Sequence, residues 1–261
     1  MSINMLLRVI FISLLCYSPA LAAKASTNII LCGGSPGGLW SLLGAGLNSA
    51  VQKTDPGSTV TYQTSSGGFA NIVQTKARKC DVSIAHLGEV VIAQKGESPF
   101  TNAVSGLYAV ALLYDWAPMQ WVIDKKFAKV NNIQNISDII SEKFSVDLVV
   151  NKKGILPSIL AEAALKRSGI SFSQIITNGG SIQYQGSSTA SQLMQDRKAD
   201  IWVNATFIGS GKIKAVAKSR NVTLLSTDES VINSMVLSYG SKRVVIPAES
   251  YDWLDKDIET F

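Results

Sequence analysis

Apolar positions along the chain follow two alternating patterns. Short runs at 28–31 (NIIL), 59–63 (TVTYQ), 81–86 (DVSIAH), 147–150 (DLVV) and 200–205 (DIWVNA) predict short, mostly buried strands. Between them, 38–52, 68–78, 156–169 and 189–198 carry apolar residues at helical spacing. The third of these has Pro157 where a first helical turn accepts it and Gly169 where a helix C-cap favours it. Alternation of this kind predicts an α/β protein with largely parallel sheets.

One unit of the pattern occurs twice. Residues 62–85 and 184–205 both read Tyr-Gln-x-Ser-Ser, then a helix, then Lys-x-Asp, then a strand. The Tyr-to-Asp spacing is 19 in the first (62 to 81) and 16 in the second (184 to 200). Two lobes of similar βαβ construction are the reading, although any α/β chain repeats strand–helix–strand. The first lobe is expected over 24–113 and the second over 118–240, with the crossing near 112–124. Residues 241–261 are expected to head back toward the first lobe.

The first 22 residues stand apart from this pattern. Arg8, the apolar run 9–16 and Ala20-Leu21-Ala22 read as a cleaved secretory signal peptide, which places the mature protein in the periplasm. The run is too short to anchor a bilayer, and Leu15 before Cys16 is too bulky for a lipidation site. The net charge of +5 falls to +4 once Arg8 is removed, and the lysines are scattered. That distribution argues against a nucleic-acid partner. Export permits a disulfide between Cys32 and Cys80. Their predicted places at the end of one strand and the start of another put them too far apart, so two buried free thiols are expected.

Gly33, Ser35 and Gly37 give the G-x-S-x-G spacing of a hydrolase nucleophile elbow. The residue after the serine should donate its N–H to an oxyanion, and here it is Pro36, which has none. The single histidine, His86, lies roughly 16 Å from Asp81 along an extended chain, which leaves no triad. No phosphate-loop or dinucleotide fingerprint is present, and one histidine without a cysteine cluster assembles no metal site. No cofactor is expected. What remains is four small-residue loops, 33–38, 64–68, 151–154 and 186–188, each leading into a predicted helix. Such helix starts can hold an anion. They can equally be ordinary strand–helix turns with serine as N-cap.

Residues 31–51, 62–96 and 198–211, together with "RSGISFSQI" (167–175) and "VIPAESYDWLDKDIETF" (245–261), resemble the TAXI solute-binding proteins of TRAP-type transporters. The resemblance implies a two-lobed fold of the periplasmic binding protein type II kind, each lobe a mixed, mostly parallel sheet flanked by helices. It implies a non-enzymatic monomer that closes on a small organic acid or amino acid, glutamate-like or a dicarboxylate. The ligand then passes to a TRAP-type membrane permease. Carried over by position, Ser35, Gly37, Gly38, Leu39 and Trp40 form the first wall of the cleft. Ser66, Gly67, Gly68 and Asn71 supply a second turn, His86 takes the place of a polar side chain such as Gln, and Asn204 to Phe207 line the second lobe.

Three departures accompany the resemblance. Only the second of the family's paired aromatics is kept, as Leu39-Trp40. The turn Gly154-Ile155-Leu156-Pro157 replaces hydroxyls and an N–H donor, which would weaken anion binding there. The sequence reaches Phe261 about where the family adds a further strand and helices to the first lobe, so an uncovered sheet edge is expected. A secreted interaction or sensor protein that has lost transport is the alternative reading.

Overall fold

The structure, a computed structural model, describes residues 26–139 and 144–261. The signal-peptide reading of 1–22 falls outside the described residues.

The first sheet has the order β2-β1-β3, built from β1 (Asn28–Cys32), β2 (Thr59–Gln63) and β3 (Val82–Ser83), all parallel. Helix α1 (Leu39–Thr54) joins β1 to β2, α2 (Gly68–Lys76) joins β2 to β3, and α3 (Leu87–Lys95) follows. Its core is small: Leu31, Val60 and Ile84, with Trp40, Leu43 and Leu47 packed against them. The chain then runs without regular structure to the second sheet. Tyr108, Val110 and Leu112 on this stretch are 89%, 84% and 82% exposed, so an apolar segment flanking the first lobe is bare.

The second sheet is mixed, with the order β6-β5-β7-β4-β8. Its strands are β4 (Met119–Asp124), β5 (Asp147–Val150), β6 (Ser181–Tyr184), β7 (Ile201–Ala205) and β8 (Val222–Leu225). β5 runs parallel to β6 and β7, whereas β4 is antiparallel to β7 and β8. Helices α4 (Lys125–Asn131), α5 (Leu156–Arg167), α6 (Phe172–Thr177), α7 (Ser187–Gln195), α8 (Gly211–Ser219) and α9 (Glu229–Tyr239) surround it. Successive strand residues point to opposite faces. Trp121, Leu148 and Val203 therefore pack with Ala164 of α5 and Ile232 of α9. Their neighbours Val122, Val149 and Trp202 pack with Met194 of α7 and Ile213 of α8. Because both faces are covered, these strands read as continuous apolar runs.

The repeated unit is visible in the topology: β2-β1-β3 and β6-β5-β7 share one order, with the duplicated Tyr-Gln-x-Ser-Ser leaving β2 and β6. The α/β class with mixed sheets flanked by helices is as expected.

Three expectations are corrected. Cys32 and Cys80 are joined in a disulfide, with Cα atoms 5.8 Å apart, and are not free thiols. The chain enters β3 from a turn in which Arg78 is left-handed (φ 55°), so it does not run extended through Cys80. The strand expected over 81–86 shrinks to Val82–Ser83, and His86 is the N-cap of α3. Residues 241–261 pack on the second sheet and not on the first. They form an antiparallel pair, β9 (Val244–Ile246) with β10 (Ile258–Thr260), whose Ile246 and Ile258 share a core cluster with Trp202, Tyr251 and Leu254. The Met119 N–H donates to Phe261 O at 2.9 Å, and Tyr251 Oη donates to Gln120 Oε1 at 2.6 Å. Burial pushes the Tyr251 phenol up to about 12, so it stays a donor at neutral pH.

Candidate functional site

After β1 the chain turns through Gly33–Gly38 beneath the ring of Tyr62, which leaves no room for a side chain at Gly33. The Gly34 N–H donates to Tyr62 Oη at 2.6 Å, and Gly37 adopts φ 67°, a region that favours glycine. The loop after β2 is tied to this one by Asn71, which is fully buried. Its Nδ2 donates to Gly33 O at 2.8 Å and to Ile84 O at 2.7 Å, so one amide fixes three segments of the first lobe.

His86 and Glu89 close a capping box at the start of α3, the spacing at which an N3 carboxylate reaches back to the N-cap N–H. Glu89 Oε2 accepts the His86 N–H at 2.8 Å and lies 3.0 Å from His86 Nδ1. Trp40 packs over His86 with ring centroids 5.0 Å apart and donates Nε1 to Tyr114 Oη at 2.7 Å. Tyr114 in turn meets Phe207 edge-on at 5.2 Å. Burial, reinforced by the Glu89 charge and partly offset by the Trp40 hydrogen bond, raises the Tyr114 phenol above its ordinary value.

The second lobe faces this wall with the ends of β5 and β7. Asn151 Nδ2 donates to Asn204 Oδ1 at 3.0 Å. Lys152, Ile155 and Ser187 complete the wall. Among the described residues, three hydrogen bonds span the lobes: Ser188 Oγ to Pro36 O at 3.2 Å, Leu156 N–H to Glu89 Oε1 at 3.4 Å, and Lys152 Nζ to Ser65 O at 3.5 Å. Between the walls lies a cavity of about 80 Å³.

Among the described residues, four of the five helices that open onto this cleft share a further property; the fifth, α3, is capped by the His86–Glu89 box. None of their N-caps, Gly38 of α1, Gly67 of α2, Ile155 of α5 and Gly186 of α7, supplies a side-chain hydrogen bond. The turn chemistry with serine as N-cap is therefore not what is built here. In α1, α2 and α7 the first-turn N–H groups are left for other acceptors, at the positive ends of the helix dipoles. In α5, by contrast, the Leu156 N–H is taken by Glu89, Pro157 has none and the Ser158 N–H donates to Ile155 O.

Most of the residues singled out by sequence converge on the cavity. Ser35, Gly38, Leu39 and Trp40 line it from the first loop, Ser66, Gly67 and Gly68 from the second, and His86 and Asn204 join them. Three lie behind the wall: Gly37 against Ser188, Asn71 within the first lobe, and Phe207 against Tyr114. Glu89 and Tyr114 lie outside the residues the sequence points to, and Asn151 opens the 151–154 loop. The His-x-x-Glu spacing of a capping box was the available signal for Glu89. Among the described residues, no group of His, Cys, Asp and Glu converges to hold a metal, and no helix is long and apolar enough to cross a membrane.

Residues 31–261 match the model of the NMT1-like family. The chain belongs to that family. Among solved structures, this NMT1-like protein is similar to iron-bound HitA from Pseudomonas aeruginosa, at 15% identity and a TM-score of 0.50, covering 78% of this chain and 70% of that one. It also matches the alkanesulfonate-binding protein SsuA from Xanthomonas axonopodis pv. citri bound to MOPS, at 16% identity and a TM-score of 0.47 over 77% of this chain. The periplasmic aliphatic sulphonate binding protein SsuA from Escherichia coli matches at 12% identity and a TM-score of 0.43 over 76%. The NMT1-like chain spans 61% and 56% of the lengths of these two SsuA proteins. At 15% identity the likeness to HitA is one of fold alone. No curated protein matches the sequence.

Proposed function

We propose that this NMT1-like protein is an exported, non-enzymatic solute-binding protein that closes its two lobes on a small organic acid or amino acid. It then delivers the guest to a membrane transporter. The observation that carries this reading is the cavity between the sheets, onto which three helix starts with no side-chain N-cap open from both lobes, α1 and α2 from the first and α7 from the second. Backbone N–H groups arranged in this way hold a polar guest with little rotamer entropy lost. A guest that touches both lobes stabilises the closed form, which is the coupling a hinge needs. Membership of the NMT1-like family supports the same role. The resemblance to TAXI proteins supports a TRAP-type permease as the recipient, and a permease gene next to this one would test that choice.

A thermal-shift screen with amino acids, small carboxylates and small sulfonates tests the binding role. A guest at 100-fold its Kd should stabilise the protein by about 2.7 kcal/mol. If no compound shifts the midpoint, solute binding is overturned and the interaction or sensor reading takes its place.

A further inference from the structure

We propose that Glu89 and Asn151 form an ammonium subsite in the cleft, so that the guest is a small primary-amine compound, an amino acid and not a dicarboxylate. This rests on the solute-binding reading above and narrows it.

Glu89 lines the cavity yet is 0% exposed. Its carboxylate has two oxygens and room for about four hydrogen bonds. Oε2 is occupied by the His86 backbone N–H and faces His86 Nδ1, but Oε1 receives only the long 3.4 Å contact from Leu156 N–H. Among the described residues no lysine or arginine forms an ion pair with it. Beyond the His86 imidazole, this buried carboxylate has no cationic partner among the described residues, an arrangement that a cationic guest relieves.

Asn151, on the opposite lobe, makes the same demand. It is 9% exposed, its Nδ2 is committed to Asn204, and its Oδ1 has no hydrogen-bond partner. Two buried acceptors with unused capacity therefore line one cavity from its two sides. A primary ammonium brings three N–H donors and a positive charge, whereas a carboxylate brings neither.

Glu89 also disfavours an anion at its end of the cleft. Its carboxylate lies against Gly68, where any side chain would collide with it, and it accepts the N–H of Leu156. The positive ends of α2 and α5 thus already face an internal anion. The carboxylate of an amino acid is left with Lys152 and the uncapped starts of α1 and α7. At about 80 Å³ the cavity is several-fold smaller than the roughly 300–1,000 Å³ of drug-sized sites, so the guest is small.

Calorimetric titration of the wild type with matched pairs tests this: glycine against acetate, L-alanine against propionate, L-serine against 3-hydroxypropionate, and succinate as the dicarboxylate. The expected result is at least one amino acid binding tenfold or more tighter than its amine-free partner, with succinate no better than the monocarboxylates. Glu89→Gln, which keeps the capping acceptor, should reduce that preference at least tenfold while leaving the ligand-free melting midpoint near wild type. Asn151→Leu should reduce it as well, without touching the cap of α3. A carboxylate or succinate that matches or exceeds the amino acids overturns the subsite, as does a preference that survives both substitutions. Either result leaves solute binding standing. Binding by no member of the set overturns this proposal, and the solute-binding reading falls with it only when the wider screen of amino acids, carboxylates and sulfonates is also silent.

Discussion

Glu89 Oε1, on the last helix of the first lobe, accepts the backbone N–H of Leu156 at the first turn of α5 in the second lobe, 3.4 Å away. With the Ser188–Pro36 and Lys152–Ser65 contacts, it makes up a sparse set of bonds across the cleft, none among the described residues shorter than 3.2 Å. Bonds of that length are weak. Closure held by so little is reversible, and a guest that bonds to both walls sets the balance.

Gly67 sits at this junction with φ 114° and ψ −171°, backbone that only glycine adopts readily, and a Cβ there would meet Ile155 Cγ2 at 2.5 Å. Gly67→Ala should therefore cost about 1–3 kcal/mol through strain. It should also hold the lobes apart, so that the unfolding midpoint falls and guest affinity drops by more than tenfold in titration.

The Cys32–Cys80 disulfide closes a loop of 48 residues in the lobe with the smaller core. Loop-closure entropy for that length is roughly 4 kcal/mol, and native disulfides typically deliver 2–4 kcal/mol. Calorimetry with and without a reductant should show the first lobe melting earlier when reduced, while the second keeps its midpoint. An unchanged thermogram would show that the bridge adds nothing.

Asp124 and Arg220 form a buried ion pair at 2.7 Å, with side chains 15% and 7% exposed. Burial alone would raise the Asp124 carboxyl, but the Arg220 guanidinium and the N–H groups of Phe127 and Lys126 hold it below its ordinary value. A depressed carboxylate contributes stability that is present above its unfolded value, about 3.9, and is lost as pH falls through the folded value. Asp124→Ala strands the arginine and should cost about 3–5 kcal/mol at pH 7. Denaturant midpoints should converge with those of wild type as pH drops below about 4.

No charged residue occurs from 98 to 114, and Tyr108, Val110 and Leu112 face solvent. An exposed apolar segment without charge invites association between copies. Light scattering of the purified protein should show concentration-dependent self-association. Val110→Lys should suppress it without lowering the melting midpoint, since nothing packs on that side chain.

Much of the fold was legible because period and punctuation agreed. The runs at 28–31, 59–63, 147–150 and 200–205 became β1, β2, β5 and β7 within a residue, each followed by the small residues that start a helix. The duplicated Tyr-Gln-x-Ser-Ser was readable since both lobes solve the same βαβ problem. The antiparallel course of β4 was not, because an apolar run buried on both faces carries no sign of direction. Residues 81–86 alternate like a strand, but the turn at Arg78 and the cap at His86 shorten it.

The cleft was legible where it is made of loop backbone and illegible where it is made of long-range contact. Ser35, Gly67 and Gly68 announce themselves by composition. Glu89 reads as a solvated helix carboxylate, and only Leu156, 67 residues away, shows that it is an interlobe acceptor. The TAXI resemblance implies that Asn71 is a ligand residue, yet its bonds to Gly33 and Ile84 show a brace.

If one guest bridges both lobes, hydrogen–deuterium exchange read with and without a saturating solute will report it from both sides of the cleft. Protection should rise together at 34–40 and 65–68 in the first lobe and at 151–157 and 187–188 in the second. A solute that raises the melting midpoint while protecting one lobe alone, or neither, would contradict the account.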